Sequence, residues 1–271
     1  ASINSRDLKK DDIFFAIKGK KNNGNKFVKQ SFKKKASIAI VNRIQKGLKD
    51  KRQVKVSNTL KFLTSISKIF RKNINTKIIA ITGSCGKTTV KELLGNSLNK
   101  ISRVSTSPKS YNNKYGVPLS LFNLSHNDDF GVLEVGMDKK GEIDYLSKII
   151  QPDVSVITNI NYAHAKNFKS IKDIALAKAE IIGNTKSDGF VVLNADDSFF
   201  NLNKKIVYKK NLKVISFGVR SQKSNIKLVS IKRERSYFRI NIKAYKSKKY
   251  FLISNNFQSN IYNILTVLSV I

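Results

Sequence analysis

A short loop, TGSCGKTT over residues 82–89, combines glycines with a lysine and hydroxyl side chains and follows the apolar run KIIAIT. Gly83 and Gly86 let the backbone wrap closely around phosphate groups, and a helix expected to begin near Lys87 directs free N–H groups and its positive dipole end at them. The Lys87 ammonium is expected to contact the terminal phosphates, and the Thr88 hydroxyl to bind Mg²⁺. The residues predicted to bind ATP are Gly83, Ser84, Cys85, Gly86, Lys87, Thr88 and Thr89. Ile81 replaces the first glycine of the common GxxxxGK[ST] pattern, so the prediction depends on the place of the loop between a strand and a helix.

Three further polar residues stand in or beside apolar segments. Glu134 interrupts VLEVG, where a carboxylate is costly unless it is paired or binds a metal, and we favour the metal over a structural salt bridge. His164 follows VSVITNI, and a single loop histidine is more often solvated than functional. Lys178 lies in ALAKAEI, and a lysine among small apolar residues normally extends its ammonium to water. The residues alone therefore favour a role for Glu134 and leave those of His164 and Lys178 open.

From Lys77 onward, short apolar runs alternate with segments of helical periodicity. The predicted strands are 77–82, 130–136, 154–160, 190–196 and 213–218, and the predicted helices are 87–99, 115–124, 143–150 and 171–182. This alternation predicts an α/β fold with a mostly parallel sheet flanked by helices, followed by antiparallel strands over 226–254. Glu134 and His164 fall at the carboxyl ends of successive strands, where ligands bind in open α/β sheets.

The first 72 residues form a separate pattern, and a length of 271 residues favours two domains. Strands are predicted over 12–19 and 37–41, a short helix over 27–35 and a longer helix over 60–70. The apolar face predicted for the longer helix consists of Leu60, Leu63, Ile66, Ile69 and Phe70. We therefore predict a small N-terminal α/β domain over 1–73 and a nucleotide-binding domain over 74–271.

The chain has a formal net charge of +34, which attracts polyanions and raises the alternative of a basic nucleic-acid-binding NTPase. Lysines outnumber arginines by 43 to 9 and are spread over the whole chain without a recognisable nucleic-acid module. We therefore favour compositional drift and predict no specific nucleic-acid partner. Cys85 is the single cysteine, and no apolar run reaches the length of a membrane span, so a cytoplasmic monomer is expected.

Several segments, taken in order and spacing, resemble the Mur ligases. They are TGSCGKTTVKELL, YNNKYGVPLSL, LEVGMDKKGEID, PDVSVITNINYAH and IALAKAEII. The asparagine pair before GVP, the GEI segment and residues 4–27 are similar to the branch that joins D-Ala-D-Ala to UDP-N-acetylmuramoyl-tripeptide. The resemblance implies a UDP-binding N-terminal domain, a P-loop-type central domain and a C-terminal Rossmann-like domain. We expect that last domain to be absent and the chain to be cut at both ends, because its last predicted helix, from about Ser259, stops in mid-run.

The resemblance also implies a reaction in which ATP phosphorylates the tripeptide carboxylate and the amine of D-Ala-D-Ala attacks the acyl phosphate. By this resemblance Thr88 and Glu134 bind one Mg²⁺, His164 binds a second, and Lys178 is carried as a carbamate. The site residues that it implies are, for catalysis, Lys87, Asn113, His164 and Lys178; for metal binding, Thr88, Glu134, His164 and Lys178; for the substrate, Ser5, Arg6, Lys18, Gly24 and Asn112; and, near adenine, Asn260.

Some positions depart from the family pattern. Lys166 stands where an acid is usual, Ser259 where a histidine is common, and Asn23 and Asn25 where Asp and His are common. Another Mur ligase or a folylpolyglutamate-type ligase shares the ATP-binding residues and is the near alternative. The N-terminal domain discriminates between them, because UDP-sugar binding belongs to the Mur branch. A chain without the C-terminal domain is also expected to be able to bind nucleotide without turnover.

Overall fold

The computed structural model describes residues 1–19, 22–48, 50–162, 167–254 and 260–271. They form two compact units. The first contains Ala1–Ile74 together with Pro118–Asn123, and the second contains Asn75–Val117 together with Leu124–Ile271. Within the described ranges, no helix combines the length and the apolar character needed to cross a membrane.

The first unit is organised around a three-stranded parallel sheet of order β1-β2-β3. Its strands are Ile13–Phe15 (β1), Ile38–Val41 (β2) and Gln53–Lys55 (β3), and its helices are Val28–Lys33 (α1) and Thr59–Lys72 (α2). Phe14, Val28 and Val41 are fully buried and belong to its core. The sequence pattern does not predict β3, because QVK contains a single apolar residue.

Helix α2 has the predicted location, but the predicted apolar face is wrong at Ile69, which is 61% exposed. The buried stripe instead passes through Leu63, Ser67 and Arg71. Ser67 fits there because its hydroxyl donates to the backbone carbonyls of Leu63 and Pro118, at 2.7 and 2.8 Å. A hydroxyl can be buried once its hydrogen bonds are made, so counting apolar residues alone misplaces the face.

The second unit is organised around a nine-stranded sheet of order β12-β11-β10-β9-β8-β7-β4-β6-β5. Its strands are Lys77–Thr82 (β4), Val104–Thr106 (β5), Phe130–Glu134 (β6), Val154–Ile157 (β7), Phe190–Asn194 (β8), Lys213–Gly218 (β9), Ile226–Glu234 (β10), Tyr237–Ala244 (β11) and Ser247–Ser254 (β12). The remaining helices are Lys87–Leu98 (α3), Gly116–Phe122 (α4), whose residues from Pro118 onward belong to the first unit, Glu142–Ile150 (α5), Ile171–Ala179 (α6), Phe200–Lys209 (α7) and Ile261–Leu268 (α8). Strands β4 to β10 pair in parallel, and β10 to β12 pair antiparallel. This arrangement confirms the predicted α/β class and its mostly parallel sheet.

Strand β4 lies where the order of the strands reverses. After β4 the chain adds β5 and β6 on one side of it and then β7, β8 and β9 on the other. Ile81 near the end of β4 pairs with Glu134 on β6 and with Val156 on β7. Ligands of open α/β sheets bind outside the carboxyl ends of the strands at such a reversal. The loops that follow β4, β6 and β7 therefore meet at the edge where a ligand site is expected.

Two elements of the second unit are not predicted from the sequence. Strand β5 has three residues, and helix α7 buries only Asn203 and Val207. Strand β5 is too short to show a period, whereas Phe199, Leu202 and Ile206 do stand at helical spacing in and beside α7, so that helix was detectable in the sequence.

Helices α3 and α8 pack into the same core as the sheet. Val90 and Leu94 of α3 and Leu265 of α8 are fully buried and belong to one cluster with Ile79 and Ile81 of β4. The end of the chain thus packs against the helix that follows the glycine loop.

Candidate active site

The glycine loop connects β4 to α3 and needs glycine at two positions. Gly83 has φ = +153° and Gly86 has φ = +83°, both in the region that strains other residues. A Cβ atom on Gly83 would collide with Thr158 Oγ1, and one on Gly86 would lie 2.5 Å from Asn263 Oδ1. The conformation therefore favours glycine at both positions, and at Gly83 the closeness of Thr158 also leaves no space for a side chain.

The segment that follows β7 fixes the loop by hydrogen bonds. Cys85 N donates to Asn159 Oδ1 at 2.9 Å, and Thr158 Oγ1 donates to Cys85 O at 2.6 Å. Ser84 N donates to Asn159 O at 2.9 Å, and Ser84 Oγ donates to Asn161 O at 2.9 Å. The predicted site residues do not include Thr158, Asn159 and Asn161. The sequence could have indicated them, because they are polar residues at the end of the apolar run VSVIT. Two adjacent strands therefore shape the loop together.

Lys87 and Thr88, the first residues of α3, point into the loop and towards β6 respectively. Lys87 Nζ donates to Gly83 O at 2.8 Å and to Ser84 O at 3.4 Å. Thr88 Oγ1 donates to Glu134 Oε2 at 2.8 Å. The ammonium thus lies among the loop residues, and the hydroxyl is coupled to the carboxylate at the end of β6.

Glu134 is a buried carboxylate, only 2% exposed, and both of its oxygens accept hydrogen bonds from uncharged groups. Oε2 accepts from Thr88, and Oε1 accepts from Asn112 Nδ2 at 2.8 Å. In the described part of the chain, no Lys or Arg lies within ion-pair distance of Glu134. The salt-bridge alternative for this residue therefore has no support among these residues.

The asparagine pair has two different environments. Asn112 contacts Glu134, and its Cγ would lie 2.9 Å from a Cβ on Gly136, so the side chain packs against backbone. Asn113 Oδ1 accepts from the backbone N–H groups of Tyr115 and Gly116, at 3.0 and 3.1 Å, at the start of α4. Of the two side chains, it is Asn112 that reaches the carboxylate.

Lys178 is buried on α6 and only 2% exposed, so the interpretation as a surface lysine is wrong. Burial, and after it the charge of Lys87, lowers the pKa of Lys178 to about 7, while Cys85 opposes this shift. A lowered pKa places a substantial fraction of the amine in its neutral, nucleophilic form near neutral pH. The helix is positioned at its start by Ser170, which caps Asp173 N at 3.1 Å.

The pKa of Lys178 predicts a dependence of stability on pH. The folded-state value of about 7 lies below the ordinary 10.5, so the unfolded chain binds more protons between these values and stability rises with pH. The Lys178→Met variant lacks this titration. The unfolding free energy of the parent, minus that of Lys178→Met, is therefore expected to rise by about 2–3 kcal/mol between about pH 7.5 and about pH 9.5. Urea unfolding in carbonate-free buffer measures it, and a pH-independent difference would show that Lys178 stays charged.

Two predicted residues belong to later parts of the second unit. His164 lies outside the described residues. Asn260 precedes α8, and its Oδ1 accepts from Asn263 Nδ2 at 3.2 Å. Asn263, which is not among the predicted site residues, in turn borders Gly86 of the loop.

The first unit contains a polar cavity of about 350 Å³. It is lined by Lys18, Asn23, Asn25, Lys26, Asn42, Arg43 and Gln45. Of the predicted substrate residues only Lys18 lines it. Gly24 packs with its Cα against the backbone of Ala16, and Ser5 is buried with its hydroxyl bonded to Gln30 Oε1 at 2.8 Å. Arg6 is exposed and does not line the cavity.

The donor atoms beside the loop suit Mg²⁺. This ion prefers oxygen ligands, and the Thr88 hydroxyl and the Glu134 carboxylate lie 2.8 Å apart at the start of α3. The described residues contain no group of three or more His, Cys, Asp or Glu side chains arranged for a metal. The fit to Mg²⁺ therefore depends on a hydroxyl and one carboxylate, the set that accompanies nucleotide phosphates in P-loop proteins.

Comparison with known proteins gives matches over most of the chain. The Mur ligase middle domain matches residues 81–271. The UDP-N-acetylmuramoyl-tripeptide–D-alanyl-D-alanine ligase of Buchnera aphidicola subsp. Acyrthosiphon pisum is 37% identical over 223 residues, covering 80% of this chain and 48% of the relative. The ligase of the same name from Rickettsia prowazekii is 31% identical over 278 residues, covering 99% of this chain and 60% of the relative.

Among solved structures, the MurF ligase from Thermotoga maritima in complex with ADP matches with a TM-score of 0.82 and 28% identity, covering 99% of this chain and 61% of that one. The chain thus spans about half the length of the curated relatives it matches. Because the middle-domain match extends from the end of β4 and its glycine loop through α8, the chain belongs to the Mur ligase family.

Proposed function

We propose that this protein is an ATP-dependent ligase that joins D-Ala-D-Ala to UDP-N-acetylmuramoyl-tripeptide. The observation that carries the proposal is the hydrogen-bonded set of Thr88, Glu134 and Asn112 beside the glycine loop. It occurs in a chain that is 31% identical, over 99% of its length, to a protein named as that ligase. Another Mur ligase would have the same glycine loop. The two alternatives therefore have to be distinguished by the substrate that the enzyme accepts.

In the proposed reaction a carboxylate oxygen of the tripeptide attacks the γ-phosphorus of ATP, and the bond to ADP breaks. The amine of D-Ala-D-Ala then attacks the acyl carbon, the C–O bond to phosphate breaks, and the amine loses its proton to solvent. Lys87 and the N–H groups at the start of α3 would bind the ATP phosphates. Mg²⁺ held by Thr88 and Glu134 would neutralise charge between the two anionic reactants. Asn112 keeps one carboxylate oxygen of Glu134 oriented.

Lys178 is proposed to act as an anion rather than as a cation. A second ammonium near Lys87 would repel Mg²⁺, whereas a carbamate on Nζ would attract it. Carbon dioxide adds only to the neutral amine, and burial with a pKa of about 7 supplies that form. We also propose that His164 binds a second Mg²⁺ and that Asn113 places the phosphate or the substrate. Asn260 is proposed to lie near adenine.

The cavity of the first unit is proposed to bind the UDP part of the substrate. Lys18, Lys26 and Arg43 supply positive charge for a diphosphate, and asparagine and glutamine amides supply donors and acceptors for a uracil ring. We accordingly propose residues 1–73 as the substrate domain and 74–271 as the ATP-binding domain. We also propose that the protein acts as a monomer in the cytoplasm, where its exposed Cys85 stays reduced.

Two measurements test the proposed function. Calorimetric titration of the 271-residue chain should show binding of ATP with Mg²⁺ and, separately, of UDP-N-acetylmuramoyl-tripeptide. The complete gene product should form the pentapeptide with one ADP and one phosphate released for each D-Ala-D-Ala consumed. Ligation of a single amino acid in place of the dipeptide would indicate another Mur ligase, and absence of nucleotide binding would refute the proposal.

Alkylation of Cys85 tests the place of the phosphates. This thiol is exposed in the glycine loop, with its backbone N–H and C=O both bonded to Asn159. We expect iodoacetamide to block ATP binding through its bulk, and saturating ATP with Mg²⁺ to slow the labelling by about tenfold or more, as expected for a ligand near saturation. Mass spectrometry of the labelled peptide gives the rate, and equal rates with and without nucleotide would place the phosphates elsewhere.

A further inference from the structure

Lys91 is a fully buried lysine on α3 that the proposed mechanism does not use. Its Nζ donates to Ser107 O at 2.8 Å and to Lys109 O at 2.6 Å, and it lies 3.1 Å from Glu92 Oε1. The Glu92 side chain is 55% exposed, so the two carbonyls are the partners that lie inside the protein with the ammonium. A buried ammonium is costly, and this one uses its three donors on a single neighbouring segment and one acid.

The segment that Lys91 holds, residues 107–113, contacts Glu134 in two ways. Ser107 Oγ accepts from Glu134 N at 3.2 Å, and Asn112 Nδ2 donates to Glu134 Oε1 at 2.8 Å. Lys109, between these two contacts, has φ = +48°, a strained conformation for a residue with a side chain. The hydrogen bond from Lys91 to the Lys109 carbonyl fixes this turn. Lys91 therefore connects the helix that begins with Lys87 to the segment that orients the carboxylate.

We propose that Lys91 is a positioning residue for the magnesium-binding carboxylate. By clamping residues 107–109 to α3, it keeps Asn112 on Oε1 of Glu134 and leaves Oε2 facing Thr88. This inference rests on the proposed function, in which Thr88 and Glu134 bind the Mg²⁺ that accompanies the nucleotide. Among the described residues, the Lys91 ammonium donates to Ser107 O and Lys109 O and not to the glycine loop, so its loss should affect the metal and not the phosphates.

The test compares ADP binding to the 271-residue chain with Mg²⁺ and with EDTA. In the Lys91→Met variant the affinity for ADP with Mg²⁺ should fall by about tenfold, the effect of losing a residue that orients a metal ligand. The affinity for ADP in EDTA should change by less than about twofold, because it depends on the loop. Lys100→Met makes the same substitution at an exposed lysine just beyond α3, and it should change neither affinity.

Each outcome separates the inference from the proposed function. If the parent chain gains no ADP affinity from Mg²⁺, the magnesium site of the proposed function fails. If the parent gains affinity and Lys91→Met gains it equally, the positioning role is refuted. A parallel loss of both affinities would reduce Lys91 to a structural residue and would also overturn it. If circular dichroism shows that Lys91→Met does not fold, Lys91→Gln keeps one donor for a carbonyl, and the same two affinities decide.

Discussion

Replacing Lys87 with alanine is expected to weaken ATP binding by at least about 100-fold while the fold is retained. The Lys87 ammonium lies among the loop residues, where it donates to Gly83 O and Ser84 O. With ATP bound, the same donors would serve the phosphates. Hydrogen bonds between charged groups contribute roughly 1.5–3 kcal/mol each, and about 1.4 kcal/mol corresponds to a tenfold change in affinity. Two lost contacts therefore suffice for the expected effect.

Calorimetric titration measures this loss, and near-ultraviolet circular dichroism checks that the fold is unchanged. Lys172→Ala is the matched control, because Lys172 is an exposed lysine at the start of α6 in the same unit. It should bind ATP as the parent does. Equal affinities of the parent and Lys87→Ala would show that the glycine loop is not the phosphate site.

The second large effect is expected at Lys178, where removal of the side chain should lower ligase activity of the complete gene product by about 10–100-fold. Lys178→Glu should retain more activity than Lys178→Ala, because a carboxylate partly replaces the proposed carbamate. The physical basis is the burial of Lys178 beside a second ammonium, that of Lys87. Both reactants in the proposed reaction are anions. A negative charge on Lys178 would therefore help the reaction only by binding a metal ion that neutralises them.

Depletion of bicarbonate distinguishes a carbamate on Lys178 from an unmodified amine. It should slow the parent enzyme and leave Lys178→Glu unchanged, and ¹³C-labelled bicarbonate should give a carbamate resonance that Lys178→Ala lacks. Full activity of the alanine variant would end the proposal. An equal response of the parent and the glutamate variant to bicarbonate would also contradict it.

The strand-loop-helix alternation predicted the sheet well. Buried parallel strands are short apolar runs, and the helical segments between them separate one run clearly from the next. It could not give the order of the strands, which depends on how non-adjacent segments pair. That order is what brings Glu134 beside Ile81 and the loop beside Asn159. The chemistry of the glycine loop was therefore visible in the sequence, but the residues that shape it were not.

The burial of two lysines is a second feature that the sequence pattern could not predict. Lys178 lies on a helix among small apolar residues and Lys91 on a helix between Val90 and Glu92, and in both settings a lysine normally extends its side chain to water. In the structure both are buried, and Lys91 is satisfied by two carbonyls that lie 16 and 18 positions further along the chain. Such partners are set by tertiary packing, so one sequence cannot reveal them. Ser67, buried in place of an apolar residue on α2, fails the pattern for the same reason.

The contact of Asn263 with Gly86 has a consequence for the order of events during synthesis. The glycine loop leaves the ribosome early, but α8, which packs on α3 and borders the loop, is encoded some 175 residues later, at Ile261–Leu268. Contacts between such distant segments form late, because the chain between them must first be made and ordered. A nascent chain that ends before Ile261 would therefore lack α8 on α3, and its glycine loop would lack the neighbouring Asn263.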